Sequence, residues 1–129
     1  MTDSTIRRSF PADQGAPGVA RRTVREFLRA RGADPAQLAD VLLAVSEVVT
    51  NCVVHGYRDR PGGKVALEAR HTGDHLVLSV ADEGTGMRPR LDSPGLGLGL
   101  PLVGRVAERV DIKAAEGGGT LVSMSFSLD

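Results

Sequence analysis

Leu121-Val122-Ser123-Met124-Ser125-Phe126-Ser127-Leu128 alternates without a break. Val122, Met124, Phe126 and Leu128 share one side and Ser123, Ser125 and Ser127 the other, which is the two-residue period of a strand with one buried and one wet face. A sheet of such strands needs cover on one side only. Outward from this strand, Gly117, Gly118 and Gly119 read as the turn of a hairpin whose other arm is 111–116. Val65, Leu67 and Ala69 share a face, as do Leu76, Leu78 and Val80, and Thr72-Gly73-Asp74 between them predicts another hairpin. Residues 5–10 form a further strand.

The cover is helical. Ala20, Val24, Phe27 and Leu28 recur at helical spacing, Arg21, Arg22, Arg25 and Arg29 lie on the other side, and Gly32 ends the pattern. Asp34-Pro35 is a cap followed by a first-turn proline, and it predicts a second helix running to about His55, where Gly56 stops it. That helix buries the stripe Leu38, Leu42, Val45, Val49 and Cys52. Pro101 is predicted to open a third, carrying Leu102, Val103, Val106 and Val110. The expected fold class is α+β, a two-layer sandwich with helices on one face of a mixed, mostly antiparallel sheet.

Composition narrows the partners. At 129 residues and 13.6 kDa the chain is expected to be one domain over 1–129. Sixteen basic and sixteen acidic residues cancel, and the pI is about 6.8, which argues against direct nucleic-acid binding and against anionic membranes. Cys52 is the only cysteine, so an intrachain disulfide is impossible. No secretory signal is visible at the N-terminus, and no apolar run is expected to approach the roughly 20 residues of a spanning helix. The expected location is the cytoplasm.

Four stretches carry chemistry. Glu47, Asn51 and His55, four residues apart, form a polar line on the second helix nearly opposite its apolar stripe. A solvated face is the plain alternative, yet Leu43 and Val54 border the line, and asparagine is a poor helix former. Asp82-Glu83-Gly84-Thr85-Gly86 follows a strand, and Asp82 has the parity of Leu76, Leu78 and Val80, so it is expected on the covered face, where it needs a partner. Gly84 and Gly86 let a ligand approach the main chain. Gly95-Leu96-Gly97-Leu98-Gly99-Leu100 runs into a helix and leaves amides open to phosphate, though it is neither a Walker A loop nor a dinucleotide fingerprint. Gly119-Thr120 places a hydroxyl on the face of Val122 and Met124.

In this order, Glu47-Val48-Val49-Thr50-Asn51 with His55-Gly56, then 82–86, 95–100 and 119–120, resemble the N box and glycine boxes of the GHKL ATPases, which implies the Bergerat fold. The run 46–51 followed by His55-Gly56-Tyr57, in so short a chain, is similar to the bacterial anti-sigma-factor serine-protein kinases. The resemblance covers nearly the whole chain. It implies ATP and Mg²⁺ as cofactors, Asn51 as the Mg²⁺ ligand, and Glu47 as the catalytic base for an acceptor serine. It further implies Asp82 as the adenine acceptor, Gly84 and Gly86 as the space beside the base, and Gly95, Gly97, Gly99 and Leu100 around the phosphates. Thr120 would support the adenine, while His55 is a nearby polar residue only. The implied partners are a sigma factor, an anti-sigma-factor antagonist and a second copy in a homodimer. Between Met87 and Pro94 little chain is left for a long ATP lid.

Two other ATPase readings fit worse. No dimerisation helix with an acceptor histidine precedes the N box, as a sensor histidine kinase requires, and topoisomerases, chaperones and mismatch-repair ATPases need further domains. The remaining alternative is a non-catalytic, ATP-dependent module that sequesters a protein partner without phosphorylating it.

Overall fold

A computed structural model of the chain describes residues 3–56, 63–82, 99–114 and 119–128. Strand β1 (Ser4–Pro11) is followed by helices α1 (Ala16–Arg29) and α2 (Pro35–Asn51) and by a π-helical turn, Cys52–Gly56. Then come β2 (Lys64–Thr72), β3 (His75–Asp82), α3 (Gly99–Val106), β4 (Arg109–Ala114) and β5 (Thr120–Ser127). The five strands form one sheet in the order β1-β2-β3-β5-β4, and each neighbouring pair is antiparallel. The sheet expected as mixed is therefore antiparallel throughout the described residues.

Local chemistry sets the ends of these elements. Asp34 caps α2 by accepting from the backbone N–H groups of Ala36 at 3.0 Å and Gln37 at 3.4 Å, with Pro35 in the first turn where its missing N–H costs nothing. Between β2 and β3, Thr72 pairs with His75 across Gly73 and Asp74, and Gly73 takes a φ of +62° that a side chain would resist. Alternation then sorts the sheet. Phe10, Val65, Leu67, Ala69, Leu76, Leu78, Val80, Val122, Met124 and Phe126 are buried beneath the helices, while Ser79, Ser123 and Ser125 point to the open side. The two-layer α+β reading is borne out.

Three expectations change. The third helix starts at Gly99, with Pro101 still inside its first turn, and ends at Val106. Val110 belongs to β4, where it pairs with Met124; the backbone N–H of Glu108 already bonds Ser125 O at 2.8 Å, so the ladder captures this β-branched residue before another helical turn can form. The second helix buries Val41, Ala44 and Val48 besides Leu38, Val45, Val49 and Cys52, and leaves Leu42 only half-buried, because α2 packs against α1 and α3 as well as the sheet. Finally, Pro35–Val54 is a helical stretch of 20 residues with a mean hydropathy of 1.5, long and apolar enough by length and composition to cross a membrane, contrary to the expectation that no such run exists. It serves as the core helix of the two layers: its buried side chains face protein, and Asp40 and Glu47 lie along it.

Candidate functional site

The C-terminal end of α2 and the C-terminal end of β3 meet over the covered face of the sheet, where the π turn packs on β3. Glu47 and Asn51 are half-buried, four residues apart and so on one side of the helix. The Nδ2 of Asn51 is fully enclosed and has no hydrogen-bond partner among the described residues. One residue before Glu47, Ser46 Oγ accepts from Arg21 Nη1 at 2.8 Å, tying α1 to this part of α2. Beyond Asn51 the helix widens to π geometry over Cys52–Gly56.

Asp82 ends β3 on the covered side, as its parity predicts, and is 2 % exposed. Its strand neighbour on β2 is Val65. On the other side Ala81 pairs with Leu121, which puts Thr120, fully buried, opposite Asp82. Cys52, the first residue of the π turn, is buried beside this carboxylate. Burial first, then the charge of the neighbouring Asp82, push the thiol well above the usual cysteine range, so it stays protonated. The sequence argument read Cys52 as core only and missed it as a neighbour of Asp82. The signal was Cys52's place on the buried stripe, immediately after Asn51.

Gly99 and Leu100 form the first turn of α3. Glu108, just past this helix, is bonded to Ser125, near the end of β5 away from Thr120. Thus Asn51, Asp82 and Thr120 are gathered at one end of the sandwich, with Glu47 one helical turn before Asn51. Gly84, Gly86, Gly95 and Gly97 lie outside the described residues. A groove of about 570 Å³ on the open face of the sheet, lined by Arg7, Ser9, Ala66, Ser79, Ala81 and Leu121, is on the other side from Asp82 and takes no part in this arrangement.

The donor set fits a nucleotide. A buried carboxylate and hydroxyl can receive an amino-bearing ring, and an enclosed amide awaits a ligand atom. No group of three or more His, Cys, Asp or Glu side chains among the described residues could hold a metal ion alone. An amide such as Asn51 with phosphate oxygens and water suits Mg²⁺, which is held by few protein ligands.

Residues 10–126 match the histidine kinase-like ATPase domain family, and the chain belongs to it. Within that class it is 32% identical over 117 residues to an anti-sigma F factor of a Thermoanaerobacter species, covering 82% of this chain and 81% of the relative. It is also 30% identical over 135 residues to the anti-sigma F factor of Clostridium acetobutylicum, covering 96% and 94%. Among solved structures, that of the RsbU and RsbW domains of Rv1364c from Mycobacterium tuberculosis superimposes with a TM-score of 0.77 at 28% identity. The match covers 97% of this chain and 32% of that one, so the chain spans about a third of the longer protein. The SiaB-SiaC complex from Pseudomonas aeruginosa, with a TM-score of 0.65 at 17% identity over 94% and 88% of the chains, shares the fold.

Proposed function

We propose that this protein is an ATP-binding anti-sigma factor and a protein-serine/threonine kinase acting on an anti-sigma-factor antagonist. The observation that carries the reading is Glu47 one helical turn ahead of the enclosed amide of Asn51, on a helix that ends against the buried carboxylate of Asp82. ATP, bound with Mg²⁺, would supply the transferable phosphoryl group. Asp82 accepts the amino hydrogen of adenine, with Thr120 supporting it from the neighbouring strand. In this reading Gly84 and Gly86 would leave room for the base, and Gly95, Gly97, Gly99 and Leu100 would surround the phosphates. Asn51 would hold the metal through its amide oxygen, and Glu47 would take the proton of the acceptor hydroxyl as the γ-phosphoryl group passes to it and ADP leaves; positioning and charge stabilisation supply most of the acceleration in such transfers.

The anti-sigma F relatives support the partner side of the reading: a sigma factor held by this protein and released when the unphosphorylated antagonist competes. A homodimer working in the cytoplasm belongs to the same proposal. The alternative of a binding module without phosphate transfer is separated by one experiment. Incubation with γ-labelled ATP and candidate antagonists should label the antagonist, and Glu47→Gln should lower that rate roughly 10²-fold or more with ATP binding retained. Transfer at the wild-type rate by the variant removes Glu47 from the role of base. No transfer by the wild type to any antagonist favours the binding module.

A further inference from the structure

We propose that the outer face of α1 is a docking surface for an acidic helical segment of a partner protein, contacted through Arg22, Arg25 and Arg29. By helical spacing Gly18, Arg21, Arg22, Arg25 and Arg29 fall within an arc of roughly 100° on α1, while Ala16, Ala20, Val24 and Leu28 on the other side are buried in the core. Arg22 and Arg29 are exposed and Arg25 is half-buried. Like charges three and four residues apart weaken a helix, so the stripe is unfavourable for α1 on its own. Glu26 is the one acidic residue in the helix, and none of these arginines makes an ion pair with a carboxylate among the described residues. The sheet differs: there Arg7 and Arg70 pair with Glu68, and Arg109 pairs with Asp111. At the start of the stripe the charges converge. A methyl group placed on Gly18 would lie 3.7 Å from Arg22 Nη1 and 3.8 Å from Arg21 Nη2, so two guanidinium groups lean over one glycine.

The chemistry of the occupant follows. Guanidinium groups take carboxylates in paired hydrogen bonds, and a carboxylate set between two of them relieves their repulsion. Arg22, Arg25 and Arg29 repeat at three and four residues over about 10 Å, the spacing of glutamates at i, i+3 and i+7 of a second helix laid alongside. A membrane fits worse, because a helix lying on lipid must offer it an apolar face, and the apolar face of α1 is already covered by protein. Nucleic acid fits worse, because the chain's charges cancel where phosphate-binding domains carry a basic excess. None of the three contacts is among the residues assigned to ATP, so the surface stands apart from the nucleotide reading.

Fluorescence anisotropy on the full chain at low salt tests this, with a labelled synthetic peptide as the probe. The peptide is an alanine-based helix carrying glutamates on one face at i, i+3 and i+7, and a second peptide of the same composition disperses them around the helix. The wild type should bind the one-faced peptide about tenfold more tightly than the dispersed one, and added salt should weaken it. Arg25→Glu combined with Arg29→Glu should lower that affinity about tenfold or more, the scale of two exposed ion pairs turned into repulsions. Arg105→Glu, at an exposed position on α3, should leave it unchanged. Should the reversal unfold α1, Arg25→Gln combined with Arg29→Gln removes the charge alone and should lower the affinity in the same direction. Equal binding of the two peptides, or a reversed variant that binds like the wild type, overturns the proposal. Duplex DNA or anionic vesicles that displace the peptide more strongly than its unlabelled form also overturn it, in favour of those ligands. ATP affinity, measured beside these, should be the same in the reversed variant and the wild type, so a failure of the nucleotide reading shows separately.

Discussion

Asp82 is a carboxylate almost sealed from water at the end of a strand, and its position was readable because strand parity is a local property. Its proposed work is to accept one hydrogen bond from adenine. Asp82→Ala should therefore weaken ATP binding by about 1 to 3 kcal/mol, the cost of leaving a buried polar group without its partner. Calorimetry beside a far-ultraviolet spectrum checks both the loss and the retained fold. Asn51 tests the metal separately. Asn51→Ala should lower affinity much more in Mg²⁺ than in EDTA, and equal losses under the two conditions would make its amide structural. The nearness of Cys52 to Asp82 was not readable, because thirty residues of chain separate two side chains that only the packing of the π turn on β3 brings together.

The start of α2 is settled by a few neighbouring residues, and its end is not. Asp34 satisfies N–H groups that no earlier turn can reach, so Asp34→Ala should cost about 1 kcal/mol, seen as a lowered midpoint in urea or heat. ATP affinity in the variant should stay near that of the wild type, since the cap lies at the opposite end of α2 from Asn51. At that other end Gly56 marks a stop, but no local signal foretells the π geometry of Cys52–Gly56, which packs on β3. Val110 teaches the same lesson. Its spacing continues the apolar stripe of α3, yet a β-branched residue beside a waiting edge of β5 gains more from the ladder.

Across the whole molecule the two layers are joined at one edge by Arg31, which follows α1. Its Nε donates to His71 Nδ1 on β2, its Nη1 donates to Ser4 Oγ on β1, and its guanidinium lies 5.8 Å from the centroid of the Phe27 ring. Arginine is always a donor, so His71 must be neutral to accept. Burial first and the Arg31 charge second lower the His71 pKa below its ordinary value near 6.5, with Asp74 opposing them. The unfolded chain then binds this proton more readily than the folded one. The stabilising contribution is complete above pH 6.5 and is lost as the pH falls from there through the lower folded value. Urea titrations from pH 8 to pH 5 should show stability declining on that limb, and His71→Gln should flatten it; a wild type indifferent to pH there would remove His71 from the joint.

The residues alone determined which face of each strand is buried, where the β2–β3 hairpin turns, how α2 begins, and which motifs resemble an ATPase family; the turn expected at 117–118 lies outside the described residues. These depend on neighbours in sequence, on period two or period 3.6, and on caps and glycines. Only the tertiary structure decided that β5 lies between β3 and β4, that α2 must be apolar widely enough to meet α1, α3 and the sheet, and that Cys52 and Thr120 border Asp82. The reason is physical. A strand's alternation records that one face is covered but not by what, because apolar burial has no direction, and partners distant in the chain are chosen by the shape and register of the assembled layers.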